Sequence, residues 1–380
     1  IRDGRKILVH CALGRGRSVL VMAAYLLARN DALSVVDVMN KIQSVRATAR
    51  LNKHQLKSLS AVKQRGRLKL NTQLALIANP VAGGGKWKTY KEEILSHLNS
   101  QFRVTIYETT PELNATWQAH QAIKAGNEIL IACGGDGTVT EVATVTREHQ
   151  KVLGIIPLGT ANALSQIVYG LRSKLAPITR ACEVICEQQY TPVDTAECNG
   201  KLMLLVSAIG FESQMIEHAD REEKNNGGQM AYLEGLWKAM NTSNPQKLQV
   251  TVDDESFELD TPSFVIANAA PLSTALAQGG DLPDMTDGEL DITWLTPTED
   301  DMPLFTVAEL VFGNEQTKKS SQIIHHKRAK QVSIKLPEEQ TYVIDGETYT
   351  TSEITVKCQA RNLNILADSK RFDESYEVSD

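Results

Sequence analysis

The stretch Ile129–Val142, ILIACGGDGTVTEV, constrains this chain more than any other. Five apolar residues, Ile129 to Cys133, read as a fully buried strand. Gly134 and Gly135 follow at once, then Asp136, Gly137 and Thr138, then a helix-like run. A strand that breaks on glycines into a helix start is a phosphate-binding geometry. Glycine lets backbone N–H groups approach an anion, and the helix N-terminus adds partial positive charge. A carboxylate beside bound phosphates would repel them unless a cation lay between, so Asp136 reads as a Mg2+ partner. The competing reading is a tight strand–helix turn in which Asp136 is only a cap.

The neighbouring chain repeats the pattern. Leu74–Ala78 is an apolar strand ending in Asn79, Pro80, Val81, Ala82, Gly83, Gly84, Gly85 and Lys86, with a helix pattern to about Leu98. Val104–Tyr107 is strand-like, Glu112–Ala125 and Thr138–Arg147 are helical, and Val152–Pro157 is a strand leading into Gly159-Thr160-Ala161-Asn162 and another helix. Alternating strands and helices imply an α/β domain with a parallel sheet covered on both faces. Ligands bind such sheets at the carboxyl ends of the strands, so the three turns are expected to converge on one site. After about Asp194 the texture changes. Leu202–Ile209, Leu248–Val252, Ser263–Ala267, Leu290–Trp294, Val332–Leu336, Tyr342–Ile344 and Ile354–Lys357 read as strands, and only Gln229–Met240 and Pro303–Phe312 as helices. This predicts an antiparallel, sandwich-like second domain, with a substrate cleft between the two.

The N-terminal part is different in kind. Lys6–Val9 reads as a strand running into His10, Cys11, Ala12, Leu13, Gly14, Arg15, Gly16, Arg17 and Ser18, then a helical run Val19–Arg29. In a Cys-x5-Arg loop between strand and helix, N–H groups wrap a phosphate. The helix N-terminus and Arg17 would stabilise a Cys11 thiolate as nucleophile, and Ser18 would assist departure of the thiol. Residues 1–70 carry 15 Lys and Arg against 3 Asp and Glu, while the remainder is acidic enough to bring the chain to −6. Such a split marks separate modules, and a basic one suits anionic substrates or an anionic membrane surface. The expected boundaries are 1–69, 70–193, 194–366, whose last strands return to the preceding domain, and a tail 367–380. The longest apolar run, Val19–Ala28, is well short of the about 20 residues a spanning helix needs. The six cysteines form neither a CxxC pair nor a zinc spacing, which points to reduced thiols in a cytosolic protein. His325-His326-Lys327-Arg328 reads as a solvated loop, and Trp117 and Trp237 as core or cleft wall in helices.

Two resemblances follow from these motifs. His10, Cys11, Gly14, Arg17 and Ser18 resemble the HCxxGxxRS signature of the dual-specificity and tyrosine phosphatases, over residues 1 to about 65. That resemblance implies the C-terminal half of a phosphatase domain with Cys11, Arg17 and Ser18 in its catalytic loop. Its general acid has no counterpart, because Asp3 is the only acid upstream. Asn79-Pro80 with Gly83, the Gly134–Thr138 turn and Pro157–Asn162 resemble the nucleotide-binding motifs of the diacylglycerol kinase catalytic-domain family, over about Gln73 to Leu366. This family includes bacterial lipid kinases and sphingosine kinases and shares its fold with NAD kinases. It implies transfer of the ATP γ-phosphoryl group to a lipid hydroxyl.

Carried over by this second resemblance, Asn79, Pro80, Gly83, Thr110, Gly134, Gly135, Asp136, Gly137, Thr138 and Thr160 would bind ATP. Asp136 would organise Mg2+. Asp345-Gly346-Glu347 resembles the family's late acidic motif, with Glu347 as the base that takes the hydroxyl proton and Asp194 as the acid that supports it. Read without the resemblance, Asp-Gly-Glu between strands is an ordinary hairpin turn. Pro283–Asp291 resembles a structural Mg2+ segment, with a carboxylate from Asp287 and backbone carbonyls near Asp284 and Glu289. Ala163 departs from the Asp that many bacterial relatives carry, though sphingosine kinases also read Asn-Ala-Leu there. The implied partner is a lipid at a membrane surface rather than a nucleic acid, the implied location the cytoplasm with peripheral membrane association, and the chain is compatible with a monomer or a dimer. Competing functions are a Cys-dependent phosphatase with a lipid-docking kinase-like part, an NAD kinase, and a non-enzymatic lipid-binding protein.

Overall fold

The computed structural model describes residues 8–12, 16–29, 33–65, 68, 72–170, 173, 175–210, 245–270, 283–296 and 323–368. Contacts divide the chain into two compact units, residues 1–74 with 98–105 and residues 75–97 with 106–380.

In the first unit, helices α1 (Arg17–Arg29), α2 (Val35–Val45) and α3 (Lys53–Gln64) have starts set by local chemistry. Ser34 Oγ accepts from Asp37 N at 3.1 Å while Asp37 Oδ2 accepts from Ser34 N at 2.8 Å. Asn52 and Gln55 make the same reciprocal pair at 2.8 and 3.0 Å. Each pair satisfies N–H groups that have no partner within the helix. The apolar stripes meet at Ala23, Leu27, Val38, Ala49 and Leu59, all buried. The strand expected over Lys6–Val9 is absent at its described end, since Leu8 and Val9 are irregular and Lys6 lies outside the described residues.

The αβ part comprises β1 (Thr72–Ala78), α4 (Ala82–Leu98), β2 (Phe102–Glu108), α5 (Ala115–Lys124), β3 (Ile129–Gly134), α6 (Asp136–Glu148), β4 (Val152–Pro157), α7 (Ala163–Tyr169) and α8 (Pro177–Glu187). The β-rich part adds β5 (Tyr190–Cys198), β6 (Lys201–Met203), β7 (Val206–Gly210), β8 (Gln246–Val252), β9 (Glu255–Thr261), β10 (Ser263–Ala267), β11 (Leu290–Leu295), β12 (Ile324–Ala329), β13 (Gln331–Ile344) and β14 (Glu347–Leu366). One path of pairing runs β12-β11-β10-β7-β13-β14-β4-β3-β1-β2, with β5, β6, β8 and β9 branching from it. β3 and β4 are parallel, whereas β7, β10, β11, β12 and β13 pair antiparallel, as the sequence predicts for the two halves. The halves share this sheet through β14, which is parallel to β4 at Asn364 and Ile365.

β3 is buried at every position, as its uninterrupted apolar run requires. Its register with β4 runs from Ile129↔Val152 to Gly134↔Pro157, so both strands end at one level and their turns emerge side by side. Beyond Leu153 the other edge of β4 is met by a side chain instead of a strand. Tyr169 OH accepts from Ile155 N at 2.9 Å and donates to Ile155 O at 2.8 Å. Burial pushes the Tyr169 phenol well above its usual range, which keeps it a donor.

Three expectations change. The strand expected over Leu202–Ile209 breaks into β6 and β7, because the N–H groups of Leu204, Leu205 and Val206 turn to the Asp345 carboxylate. His325–Arg328 lies on β12, not in a loop. Its alternation puts Trp294 against the His325 ring (5.3 Å) on one face and ties His326 and Arg328 to the buried Asp291 on the other. Trp117 is 45% exposed and so no core residue. The helices expected over Gln229–Met240 and Pro303–Phe312, with Trp237, lie outside the described residues. Replacing Tyr169 with Phe leaves both Ile155 groups unpaired in the core. Urea denaturation is expected to show a loss of about 1–3 kcal/mol with an unchanged m-value.

Candidate active site

The three turns come together through backbone contacts that only glycine permits. Gly134 O accepts from both Leu158 N (2.9 Å) and Gly159 N (3.1 Å), locking the turn after β4 onto the turn after β3. A Cβ on Gly159 would lie 2.4 Å from Gly135 Cα, and one on Gly83 would lie 2.0 Å from Leu158 O. Gly83, Gly84 and Gly85 all have positive φ, at 56°, 76° and 89°. Asn79 N donates to Cys133 O at 2.9 Å, and Asn79 Nδ2 reaches Thr138 Oγ1 at 3.3 Å. Lys86 Nζ donates to Gly159 O at 2.9 Å, placing an ammonium group at the junction. Gly83, Gly135 and Gly159 therefore serve turn-to-turn approach. Gly84 and Gly137 face open space, so a ligand can approach the backbone there.

Asp136 is not the cap of its own helix. Gly135 is the N-cap of α6 and offers no side-chain oxygen, which leaves the first-turn N–H groups available to an anion. The Asp136 carboxylate instead reaches the start of α7, where Oδ2 accepts from Asn162 N (2.9 Å) and Oδ1 from Ala163 N (2.8 Å). Each oxygen keeps a further lone pair for a cation. Asn162, left-handed at φ 50°, closes the Gly159 turn with a pair of bonds at 2.8 and 3.0 Å. Ala163 thus contributes its backbone N–H to the Asp136 carboxylate.

Beside these turns lies a cleft of about 300 Å3 lined by Asn79, Pro80, Thr110, Asn114, Thr138 and Glu141, among others. Four residues expected to bind ATP line it together. Thr110 Oγ1 donates to Glu112 Oε2 at 2.9 Å, and Glu141 Oε2 accepts from Thr116 N and Oγ1 at 2.9 and 3.2 Å. Thr160 sits on the exposed side of the Gly159–Asn162 turn. A triphosphate fits this donor set of open glycine backbone, free helix N–H groups and one ammonium, and Mg2+ fits a carboxylate with spare lone pairs beside phosphate oxygens. Among the described residues no three His, Cys, Asp or Glu side chains cluster as a self-sufficient metal site.

Asp345 and Gly346 form the two-residue turn of the β13–β14 hairpin, with φ of 49° and 94°. The hairpin reading therefore holds, and the turn leaves Glu347 at the first position of β14. The Asp345 carboxylate accepts from Leu204 N (2.6 Å), Leu205 N and Val206 N (both 2.9 Å). The residue as a whole is half-buried, but its carboxylate is enclosed. Burial raises it to about 6 against the pull of those three N–H groups, and the charge of Asp136 adds to the rise. Glu347, exposed at the start of β14, accepts from Tyr349 OH at 2.6 Å.

Asp194 is fully buried on β5 and holds other elements together. Its Oδ2 accepts from Gly288 N (2.6 Å), its Oδ1 from Arg361 N (2.7 Å), and its own N–H donates to Met285 O (2.7 Å). The structure thus joins Asp194 to the Asp284–Glu289 loop. In that loop Asp284 Oδ1 accepts from Thr286 N and Oγ1, and Asp287 Oδ1 from Glu289 N, at 2.7–2.9 Å. Partial burial raises the Asp287 carboxyl despite the Arg328 guanidinium 3.5 Å away. In the first unit, Cys11 Sγ lies 3.3 Å from Ser18 Oγ, and Arg17 is exposed at the start of α1.

Sequence reasoning did not single out Lys86, Asn162, Glu141 or Tyr349. Lys86, Asn162 and Glu141 sit inside stretches it quoted. Glu141 pairs with the distant Thr116, and Tyr349 lies just beyond the Asp-Gly-Glu motif whose Glu347 it meets.

Comparison with known proteins bears on most of the chain. Residues 73–198 match the diacylglycerol kinase catalytic domain, residues 205–367 the YegS C-terminal NAD kinase beta sandwich-like domain, and residues 1–65 the catalytic domain of dual specificity phosphatases. An uncharacterized protein of Synechocystis sp. is 36% identical over 77% of this chain and 69% of its own length. A diacylglycerol kinase of Staphylococcus saprophyticus is 26% identical over 72% of this chain and 88% of its own. The crystal structure of a putative diacylglycerol kinase from Bacillus anthracis superimposes with a TM-score of 0.60 at 24% identity, covering 78% of this chain and 97% of that one.

Two outcomes are expected. Gly159→Ala forces a Cβ into the Gly135 backbone and should cost about 1–3 kcal/mol in chemical denaturation. Asp345 gives a slope with pH. An unfolded Asp releases its proton near 3.8, whereas the folded one keeps it to about 6. The native chain binds more protons in that window, so stability falls as pH rises from about 4 to 6 and the loss is complete above it. Denaturation at stepped pH should show this decline, and Asp345→Asn should flatten it.

Proposed function

Because the chain belongs to the diacylglycerol kinase catalytic-domain family, we propose that it is an ATP- and Mg2+-dependent lipid kinase that phosphorylates the hydroxyl of a diacylglycerol- or sphingoid-type lipid. The observation that supports this reading is geometric: the turns after β1, β3 and β4 meet at one end of the sheet, with the Asp136 carboxylate on the start of α7 among them.

In this reading Asn79, Thr110, Thr138 and the open backbone at Gly84 and Gly137 seat the nucleotide, and Lys86 moves from Gly159 O to a phosphate oxygen. Asp136 keeps the two N–H bonds to α7 and offers its remaining lone pairs to Mg2+. Bound Mg-ATP supplies the phosphoryl group and neutralises its charge. Glu347 takes the proton from the attacking lipid hydroxyl. Asp194 holds the Asp284–Glu289 loop, whose Asp287 carboxylate and backbone carbonyls are the candidates for a structural Mg2+. The basic first unit suits an anionic membrane surface, where the lipid resides. Domain limits of 1–69, 70–193 and 194–366 accompany this division of labour.

The test is a panel of dispersed diacylglycerol, sphingoid base and NAD with labelled ATP. Product is expected only with lipid. Glu347→Gln should lower turnover about 10²–10⁴-fold, as removal of a general base does. Asp136→Asn, which keeps one acceptor for α7, should abolish turnover in a folded protein; wild-type rates in that variant would remove Asp136 from the site.

A second activity is favoured by one contact, the 3.3 Å approach of Cys11 Sγ to Ser18 Oγ, which suits protonation of a departing thiolate. Hydrolysis of a chromogenic phosphomonoester, lost in Cys11→Ser and unaffected by Glu347→Gln, is the expected result for a phosphatase module acting on its own.

A further inference from the structure

Glu347 and Tyr349 are two residues apart on β14 and stand on one face of the strand. The Tyr349 hydroxyl donates to Glu347 Oε2 at 2.6 Å, a short bond of the charge-assisted kind. The phenol is aimed by its surroundings. Across the hairpin Tyr342 is its register partner, with ring centres 5.9 Å apart at 45°. Lys201 Nζ, at the start of β6, lies 4.6 Å from the centre of the Tyr349 ring. Tyr342 OH accepts from Asn199 Nδ2 at 3.3 Å, and Asn199 is anchored to β14 through Glu353 O (2.9 Å) and Thr355 N (2.8 Å). Packing from three elements thus fixes where the hydroxyl points before any substrate arrives.

We propose that Tyr349 is a positioning residue for phosphoryl transfer, holding the Glu347 carboxylate turned so that Oε1 faces the lipid hydroxyl. The inference rests on Glu347 being the base. In the step it supports, the lipid O–H proton passes to Glu347 Oε1 as the lipid oxygen bonds to the γ-phosphorus. The bond from that phosphorus to the bridging oxygen breaks, ADP leaves, and the proton is later lost to water. Tyr349 keeps its own proton throughout. Its phenol is raised to about 12, first by the bond to Glu347 and then by burial, so it remains a donor across the range in which a carboxylate titrates.

Other charges face this pair. Asp345 lies in the turn, with its carboxylate on the N–H groups of Leu204–Val206, and Lys201 lies on β6. A change of Tyr349 to Phe leaves all of their contacts through side-chain and backbone polar atoms in place. It removes only the hydrogen bond that turns the Glu347 carboxylate.

The experiment is the pH dependence of lipid phosphorylation by the full chain and its variants, with thermal unfolding of each as the folding control. Tyr349→Phe is expected to lower kcat about ten-fold, leave the KM for ATP and lipid within about two-fold, and move the acid limb of kcat up by about one pH unit. Glu347→Asp withdraws the carboxylate by one methylene without touching the ring. It should move the limb the same way, and adding Tyr349→Phe to it should move the limb no further. A folded Tyr349→Phe protein with the wild-type kcat and acid limb, beside an inactive Glu347→Gln protein, overturns the role of Tyr349 and leaves Glu347 as base. An active Glu347→Gln protein removes the base itself, and the positioning role with it.

Discussion

The site depends on one carbonyl. Gly134 O, at the end of β3, accepts two N–H groups from the turn that follows β4. It can do so because the parallel register pairs Gly134 with Pro157 and ends both strands together. Contact between the two turns then needs Gly135 and Gly159 to pass with no side chain on either. Asp136 completes the junction from the other direction, binding the first N–H groups of α7. Phosphate-type turns are thus rigid before a ligand enters, which spares the binding energy that ordering three loops would otherwise consume.

A second enclosed carboxylate organises the β-rich half. Asp345 collects three consecutive backbone N–H groups, and in doing so divides β6 from β7 and ties them to the hairpin that bears Glu347. Its raised pKa means that the tie costs stability near neutral pH. Groups held in an unfavourable charge state collect at functional sites, because chemistry needs them there even when folding does not. Asp194 shows the opposite use of burial. Its carboxylate meets N–H groups from two separate segments, Gly288 and Arg361, and serves as a clamp.

Much of this was legible in the residues. The apolar run of Ile129–Cys133, the glycines after it and the repeated strand–glycine–helix order specify a parallel sheet with ligand turns on one edge. The reciprocal caps at Ser34–Asp37 and Asn52–Gln55 are local, so helix starts in the first unit follow from sequence spacing alone. Expectations failed where a distant group competed for backbone. Leu204 and Leu205 look like strand from their neighbours, but Asp345, about 140 residues later, takes their N–H groups. His325–Arg328 looks like a polar loop, yet its alternate residues meet Trp294 and Asp291 across the sheet.

What the sequence determined by itself were the local motifs: glycine turns at strand ends, a lone carboxylate in one of them, a late Asp-Gly-Glu, and a separate Cys-x5-Arg loop. These signals are local, carried by backbone freedom and residue type within a few positions. Only the tertiary structure decided what each carboxylate does. Asp136 could cap its own helix or another, and Asp345 could be a turn residue or a buried acid. Glu347 could stand alone or beside a phenol. For Asp136 and Asp345 the outcome depends on N–H donors that arrive from remote segments, and hydrogen bonding of that range has no pattern along the chain; for Glu347 it depends on how packing across the hairpin aims the Tyr349 ring.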